Sequence, residues 1–273
     1  MAESRRSTDA SLSRALELAR DALAEAPAGL LTDFDGTVSP LVGDPPDARL
    51  APGAAEALET LVDRLAVVAV ITGRAPLDVR RMADVPGLLI AGNHGIEWLE
   101  PDADAPSPSP GAAAIRARLT ELLERVPPLP GLFIEEKGLS ATVHYRAAAE
   151  PDAARAAIVA AFGDPGDRLA IRYGHLSVEL RPVGLGDKGA AARAIVERFA
   201  LRGAVVMGDD LTDLDMFAAV ADLRATGNVR GAIIGVGGPD RRLPADVIAA
   251  SDVVLRHPEE AAELLAELAR GAG

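Results

Sequence analysis

Apolar residues in this chain follow two patterns, and the change from one to the other divides it. Short runs without polar alternation lie at 29–31, 65–71, 87–91, 204–207 and 252–255. Strands covered by helices on both faces need such runs, because neither side meets water. Helical periodicity separates most of them, at 53–63, 76–83, 188–199, 214–220 and 258–270. Strand alternating with helix predicts an α/β fold with a doubly wound, Rossmann-like parallel sheet. Its active site should lie beyond the carboxyl ends of the strands.

The middle of the chain reads differently. Residues 101–110, Pro-Asp-Ala-Asp-Ala-Pro-Ser-Pro-Ser-Pro, are too proline-rich for regular structure and read as a linker. Helical spacing follows at 112–126, strand-like segments at 132–135 and 139–145, a helix at 151–162, and strands at 168–172 and 176–180. Helix–strand–strand twice over predicts an inserted α+β domain of αββαββ order, after which the core pattern resumes near Asp187. The expected division is an N-terminal helix packed on the core (1–27), a core (28–95 and 183–273) and the insertion (96–182).

The amino-terminal stretch sets Leu12, Leu16 and Leu23 among Arg14, Glu17, Arg20, Asp21 and Glu25, as in an amphipathic helix. No apolar run approaches the roughly 18 residues of a membrane span, so a cytoplasmic protein without a membrane partner is expected. Absence of cysteine excludes disulfides and thiolate-bound zinc. The net charge of −13 disfavours nucleic acid and anionic membranes as partners. It would also repel a phosphorylated substrate, but screening limits that repulsion to about 8–10 Å. A bound cation and a few local basic groups can override it.

Three segments at strand ends carry candidate chemistry. Asp33-Phe34-Asp35-Gly36-Thr37 places two carboxylates two residues apart on one side of the chain, with Gly36 free to turn. One can attack phosphorus while the other handles protons, and both can help hold a hard cation. Gly208-Asp209-Asp210-Leu211-Thr212-Asp213 follows a buried strand and supplies oxygen ligands of the kind Mg²⁺ takes; the same residues also cap helices well. Thr72-Gly73-Arg74 joins a hydroxyl to backbone N–H groups at a helix start, which suits an anion, although ordinary turns look similar. Of 28 basic residues only Lys137 and Lys188 are lysine, marking two positions where a compact point charge matters.

In order along the chain, Asp33-x-Asp35-Gly-Thr, Thr72-Gly73-Arg74, Lys188 and Gly208-Asp209-Asp210-x-Thr212-Asp213 resemble the four motifs of the haloacid dehalogenase superfamily. An insertion between the second and third resembles that superfamily's type-2 cap. Within it, Ser39-Pro40, Gly92-Asn93-His94-Gly95, Lys137-Gly138-Leu139-Ser140, His144-Tyr145-Arg146 and Glu179-Leu180-Arg181-Pro182 are similar to trehalose-6-phosphate phosphatases. Phe34 stands where these enzymes often carry tyrosine.

The resemblance implies hydrolysis of trehalose 6-phosphate, in trehalose biosynthesis, through an aspartyl phosphate. Asp33 is then the nucleophile and Asp35 the acid and base. Mg²⁺ is held by Asp33, the Asp35 carbonyl and Asp209, with Asp213 ligating through water or orienting Lys188. Thr72 and Lys188 hold phosphoryl oxygens, and Gly73 and Arg74 join the substrate site. Glu135, Lys137 and Glu179 meet sugar hydroxyls, with Asn93 and His94 lining the same cleft. His144, Tyr145 and Arg146 read as cap packing, and His175 and His257 as structural. A phosphatase for another sugar phosphate, such as sucrose phosphate, would share every core motif. A non-catalytic phosphosugar-binding subunit could dispense with Asp33, Asp35 or Lys188, and all three are present. A small-molecule sugar phosphate is the expected partner, and a monomer the expected state.

Overall fold

The computed structural model describes residues 2–42, 47–136, 139–174, 176–183, 187–238 and 243–271. The chain forms two compact units, Met1–Ser107 with Gly186–Gly273, and Pro108–Leu185.

The first unit is built on one sheet. Its strands are β1 (Ala28–Thr32), β2 (Val67–Ile71), β3 (Leu89–Gly92), β4 (Glu97–Leu99), β5 (Ser107–Pro108), β10 (Gly203–Gly208), β11 (Arg230–Val236) and β12 (Val253–Leu255). They lie in the order β12-β11-β10-β1-β2-β3-β4-β5. Pairing is parallel from β12 to β3 and antiparallel between β3 and β4.

Alternation along each strand divides the apolar side chains between two helical layers. Leu30, Val68, Val70, Ile90, Val205 and Ile234 share a core with α1 (Ala2–Leu23), α2 (Ala54–Val62), α3 (Pro76–Ala83) and α9 (Pro258–Gly271). Leu31, Ala69, Ile71, Leu89, Val206 and Ile233 share the other with α6 (Lys188–Arg198), α7 (Leu214–Ala225) and α8 (Ala245–Ala250). Each fully buried Leu, Ile or Val contributes about 1.5–3 kcal/mol relative to exposure. Ala15, Ala19 and Ala22, spaced on one helical face and fully covered, let α1 sit close against this core.

Around residues 96–107 the structure differs from the sequence expectation. Trp98 and Leu99 pair with Ala91 and Ile90 and are buried, so this segment extends the core sheet rather than opening the insertion. The expected linker is also tied down: Arg80 donates to the carbonyls of Ala103 and Asp104. Its last residues start a helix, with Ser109 Oγ accepting the Ala112 N–H at 3.2 Å and Pro110 opening the first turn. Proline suits that position because the first-turn N–H groups have no helical partner. The pattern also missed β11, where Gly231 and Gly235 interrupt the apolar run, and the six-residue α8, too short to show periodicity.

The second unit contains α4 (Pro110–Glu124), β6 (Phe133–Glu136), β7 (Ala141–His144), α5 (Pro151–Phe162), β8 (Leu169–Gly174) and β9 (Ser177–Pro182). Its sheet order is β6-β7-β9-β8, antiparallel throughout. Val143, Val178 and Leu180 are wholly buried, and so are Ile158 and Phe162 of α5. Among the described residues, no helix is long and apolar enough to cross a membrane.

Candidate active site

The strand order puts β10, β1 and β2 side by side, and each delivers a motif at its carboxyl end. Asp33 follows β1, Thr72 follows β2 and Asp209 follows β10. The Asp33 N–H donates to the Met207 carbonyl at 2.9 Å, carrying the pairing with β10 one residue beyond the strand. Asp33, Asp35, Thr72, Gly73, Arg74, His94, Lys188 and Asp209 all line one cavity of about 200 Å³, which Leu41, Asp210 and Thr212 complete.

Lys188 is the first residue of α6 and only 3% exposed. Its Nζ lies 2.6 Å from Asp33 Oδ1 and 2.7 Å from Asp213 Oδ1. Burial alone would pull this amine down. Asp33 and Asp213 outweigh that, and hold it above the ordinary lysine value. For Asp33, burial raises the carboxyl well above its usual range; Lys188 opposes the shift, while Asp213 and Asp209 add to it.

Asp213 is fully buried, and both its oxygens are engaged. Oδ1 accepts from Lys188, and Oδ2 accepts the N–H groups of Asp209 and Asp210 at 2.9 and 3.0 Å. Of the two roles expected for it, this geometry suits the orienting of Lys188. Gly208 is what lets the loop close: a Cβ there would lie 2.5 Å from Asp213 Cγ.

One carboxylate oxygen from each of Asp33, Asp209 and Asp213 lies within 4.8 Å of the others. Three buried carboxylates face one buried lysine, so the ionised cluster carries two uncompensated negative charges. That excess, on oxygen donors alone, fits a hard divalent cation such as Mg²⁺. Gly36 has φ 77°, and a Cβ there would come 2.2 Å from Asp209 Oδ2, so its absence keeps the carboxylate in place. Thr37, buried, donates its hydroxyl to Asp209 Oδ1 at 3.4 Å. That contact joins positions 172 apart and was not foreseen, although Thr37 belongs to the first motif.

Arg74 holds Asp35 by a two-pronged ion pair, Nε to Oδ2 at 2.5 Å and Nη2 to Oδ1 at 2.7 Å. Its backbone N–H donates to Thr72 Oγ1 at 3.2 Å. The expected substrate group thus already partners the expected acid. His94 packs its ring over Gly73, where a Cβ would lie 2.9 Å from Cε1. Asn93, His94 and Gly95 all have positive φ, and this left-handed turn is held by Asn93 N–H to Arg74 O and His94 N–H to Thr72 O. The Asn93 amide donates to Glu97 at 2.6 Å, and Asn93 is not among the residues lining the cavity.

The remaining expected residues belong to the second unit. Glu135 meets His144 Nε2 at 3.1 Å, and Glu179 lies 3.8 Å from Arg181 Nε. Lys137 and His175 lie outside the described residues.

Residues 31–235 match the trehalose-phosphatase family model. The chain belongs to the trehalose-phosphatase family. A trehalose-phosphate phosphatase of Mycobacterium tuberculosis (strain ATCC 25618 / H37Rv) is 36% identical over 215 residues, covering 76% of this chain and 54% of its own. One of Mycobacterium avium (strain 104) is 35% identical over 265 residues, covering 94% of this chain and 66% of its own. This chain therefore spans between half and two thirds of these relatives. Among solved structures, trehalose-6-phosphate phosphatase of Aspergillus fumigatus superposes with a TM-score of 0.59 at 23% identity, covering 95% of this chain and 97% of that one. The C-terminal domain of the C. albicans enzyme does so at 0.58 and 19%, covering 94% and 96%. At such identities the likeness speaks to the fold alone, an α/β unit on a mainly parallel sheet with a second, smaller α+β unit.

Proposed function

We propose that this family member hydrolyses trehalose 6-phosphate to trehalose and phosphate through an aspartyl phosphate on Asp33, with Mg²⁺ as cofactor. The observation that carries the reading is the buried bridge of Lys188 between Asp33 and Asp213. It aims a carboxylate oxygen and a fixed positive charge at the same cavity, which phosphoryl transfer to a side chain requires.

In the first step an Asp33 oxygen forms a bond to phosphorus as the bond to the sugar oxygen breaks. Asp35 gives that oxygen a proton, and trehalose leaves. In the second, Asp35 takes a proton from water as the water attacks the aspartyl phosphate, freeing Asp33 and inorganic phosphate. Lys188 and Thr72 hold the non-bridging oxygens throughout, and Asp213 keeps Lys188 in register. When bound by Asp33, the Asp35 carbonyl and Asp209, Mg²⁺ supplies neutralising charge for the phosphoryl group. Glu135, Lys137 and Glu179 recognise sugar hydroxyls, which a wrong sugar would leave unpaired.

The test is phosphate release from trehalose 6-phosphate beside sucrose 6-phosphate and glucose 6-phosphate. Preference for the first supports the reading; preference for sucrose 6-phosphate assigns the same chemistry to another disaccharide. Failure on all three sinks it.

A further inference from the structure

Register on the insertion's sheet sets Glu135, Glu179 and His144, which the motifs singled out, beside Phe133 and Arg172, which they did not. Glu135 pairs with Thr142, Thr142 with Glu179, and Glu179 with Arg172, forming one row across all four strands. In the adjacent row on the same face, Phe133 pairs with His144, and His144 with Ser177. The opposite face carries the wholly buried Val143, Val178 and Leu180. One face of this sheet is therefore core, while the other bears two carboxylates, an arginine, a histidine and one phenylalanine.

Phe133 is the odd member. It is 64% exposed on an otherwise polar face, whereas Phe34, Phe162 and Phe217 are buried completely or nearly so. Its ring stacks on that of His144, with centroids 6.0 Å apart and planes at 29°. His144 is anchored in turn: Nε2 lies 3.1 Å from Glu135 Oε2, and Nδ1 lies 3.3 Å from Arg146 Nη2. The exposed ring thus lies against an anchored imidazole, with a carboxylate two residues along its own strand.

We propose that Phe133 is a stacking platform for a sugar ring of the substrate, with Glu135 and Glu179 accepting hydrogen bonds from the hydroxyls at its rim. The inference rests on the phosphosugar reading above and names the group that takes the apolar side of the sugar. A pyranose has a face of C–H groups and an edge of hydroxyls. A flat apolar ring beside ionised acceptors complements both at once. Covering Phe133 removes from water an apolar surface that the fold otherwise leaves exposed. The carboxylates supply charge-assisted hydrogen bonds that an aliphatic occupant could not use. Glu135 and Glu179 stand two strands apart, about 9–10 Å at the backbone. That separation exceeds one pyranose ring and favours a disaccharide.

The experiment compares wild type, Phe133→Ala and Phe133→Trp on trehalose 6-phosphate and on acetyl phosphate, which has no ring. Because the position is exposed, all three should melt alike. Phe133→Ala should lower the ratio of the two kcat/KM values about tenfold, mainly through KM on the sugar phosphate, and Phe133→Trp should restore it. An unchanged ratio in Phe133→Ala overturns the platform, as does Phe133→Trp failing like Phe133→Ala. A wild type that self-associates through this face, with association lost in Phe133→Ala, also overturns it. These outcomes leave the function reading intact. Wild type active on acetyl phosphate but on no sugar phosphate would instead sink that reading, and the platform with it.

Discussion

Arg74 grips both carboxylate oxygens of Asp35, at 2.5 and 2.7 Å, and so sets the plane of the group proposed as acid and base. A guanidinium can do this because its N–H groups form a rigid fork; an ammonium on the same site would make one mobile contact.

Arg74→Lys should therefore keep the charge and lose the aim. We expect kcat/KM on trehalose 6-phosphate to fall at least tenfold, since one charge-assisted hydrogen bond is worth about 1.5–3 kcal/mol. The fall on 4-nitrophenyl phosphate should be smaller, because nitrophenolate departs without a proton. Equal falls on the two substrates would show that Arg74 only holds the phosphate.

Asp33→Asn should abolish turnover while leaving the fold intact, because an amide cannot form the acyl phosphate. Circular dichroism and a phosphate-release assay with saturating Mg²⁺ check both halves. Substantial residual activity would move the nucleophile elsewhere.

Mg²⁺ should raise the melting temperature of the protein, as does any ligand that binds the folded state alone. At a hundred times its Kd the gain is about 2.7 kcal/mol. Asp209→Asn should remove most of that shift. Gly36→Ala should weaken it too, since the added methyl would sit 2.2 Å from Asp209 Oδ2 at a backbone φ of 77°. Calorimetry with and without chelator reads the result without reference to activity. A shift unchanged in Asp209→Asn would place the cation at other ligands.

Lys188 gives a pH dependence whose sign can be worked out. Its amine is held above the ordinary value of 10.5, so the folded state binds this proton more tightly than the unfolded chain does. The resulting stability is fully present below 10.5 and is lost only as pH rises through the still higher folded value. Removing one member of a buried pair costs about 3–5 kcal/mol. The Lys188 contribution to the gap between wild type and Lys188→Met in denaturant melts should hence persist to about pH 10 and narrow only beyond it. A gap that closes near neutral pH would mean that Lys188 is not held charged by Asp33 and Asp213.

The sequence alone determined the layered architecture and the identity of most chemical groups. Strands such as β2 and β10 must be apolar on every residue when helices cover both faces, and that demand is written locally in Val67–Ile71 and Gly203–Gly208. A motif such as Asp33-x-Asp35-Gly36-Thr37 is likewise local, because one strand end and one turn supply all of it. β11 escaped notice because Gly231 and Gly235 dilute its apolar signal; only its neighbours β10 and β12 make it a strand. The tertiary structure decided the pairings. Asp35 meets Arg74 across 39 positions, Lys188 meets Asp213 across 25, and Thr37 meets Asp209 across 172. It also placed Phe133 beside Glu135 and His144. Such meetings depend on strand order, crossover connections and sheet register, and these are settled by packing of the whole unit; no short stretch of chain encodes them.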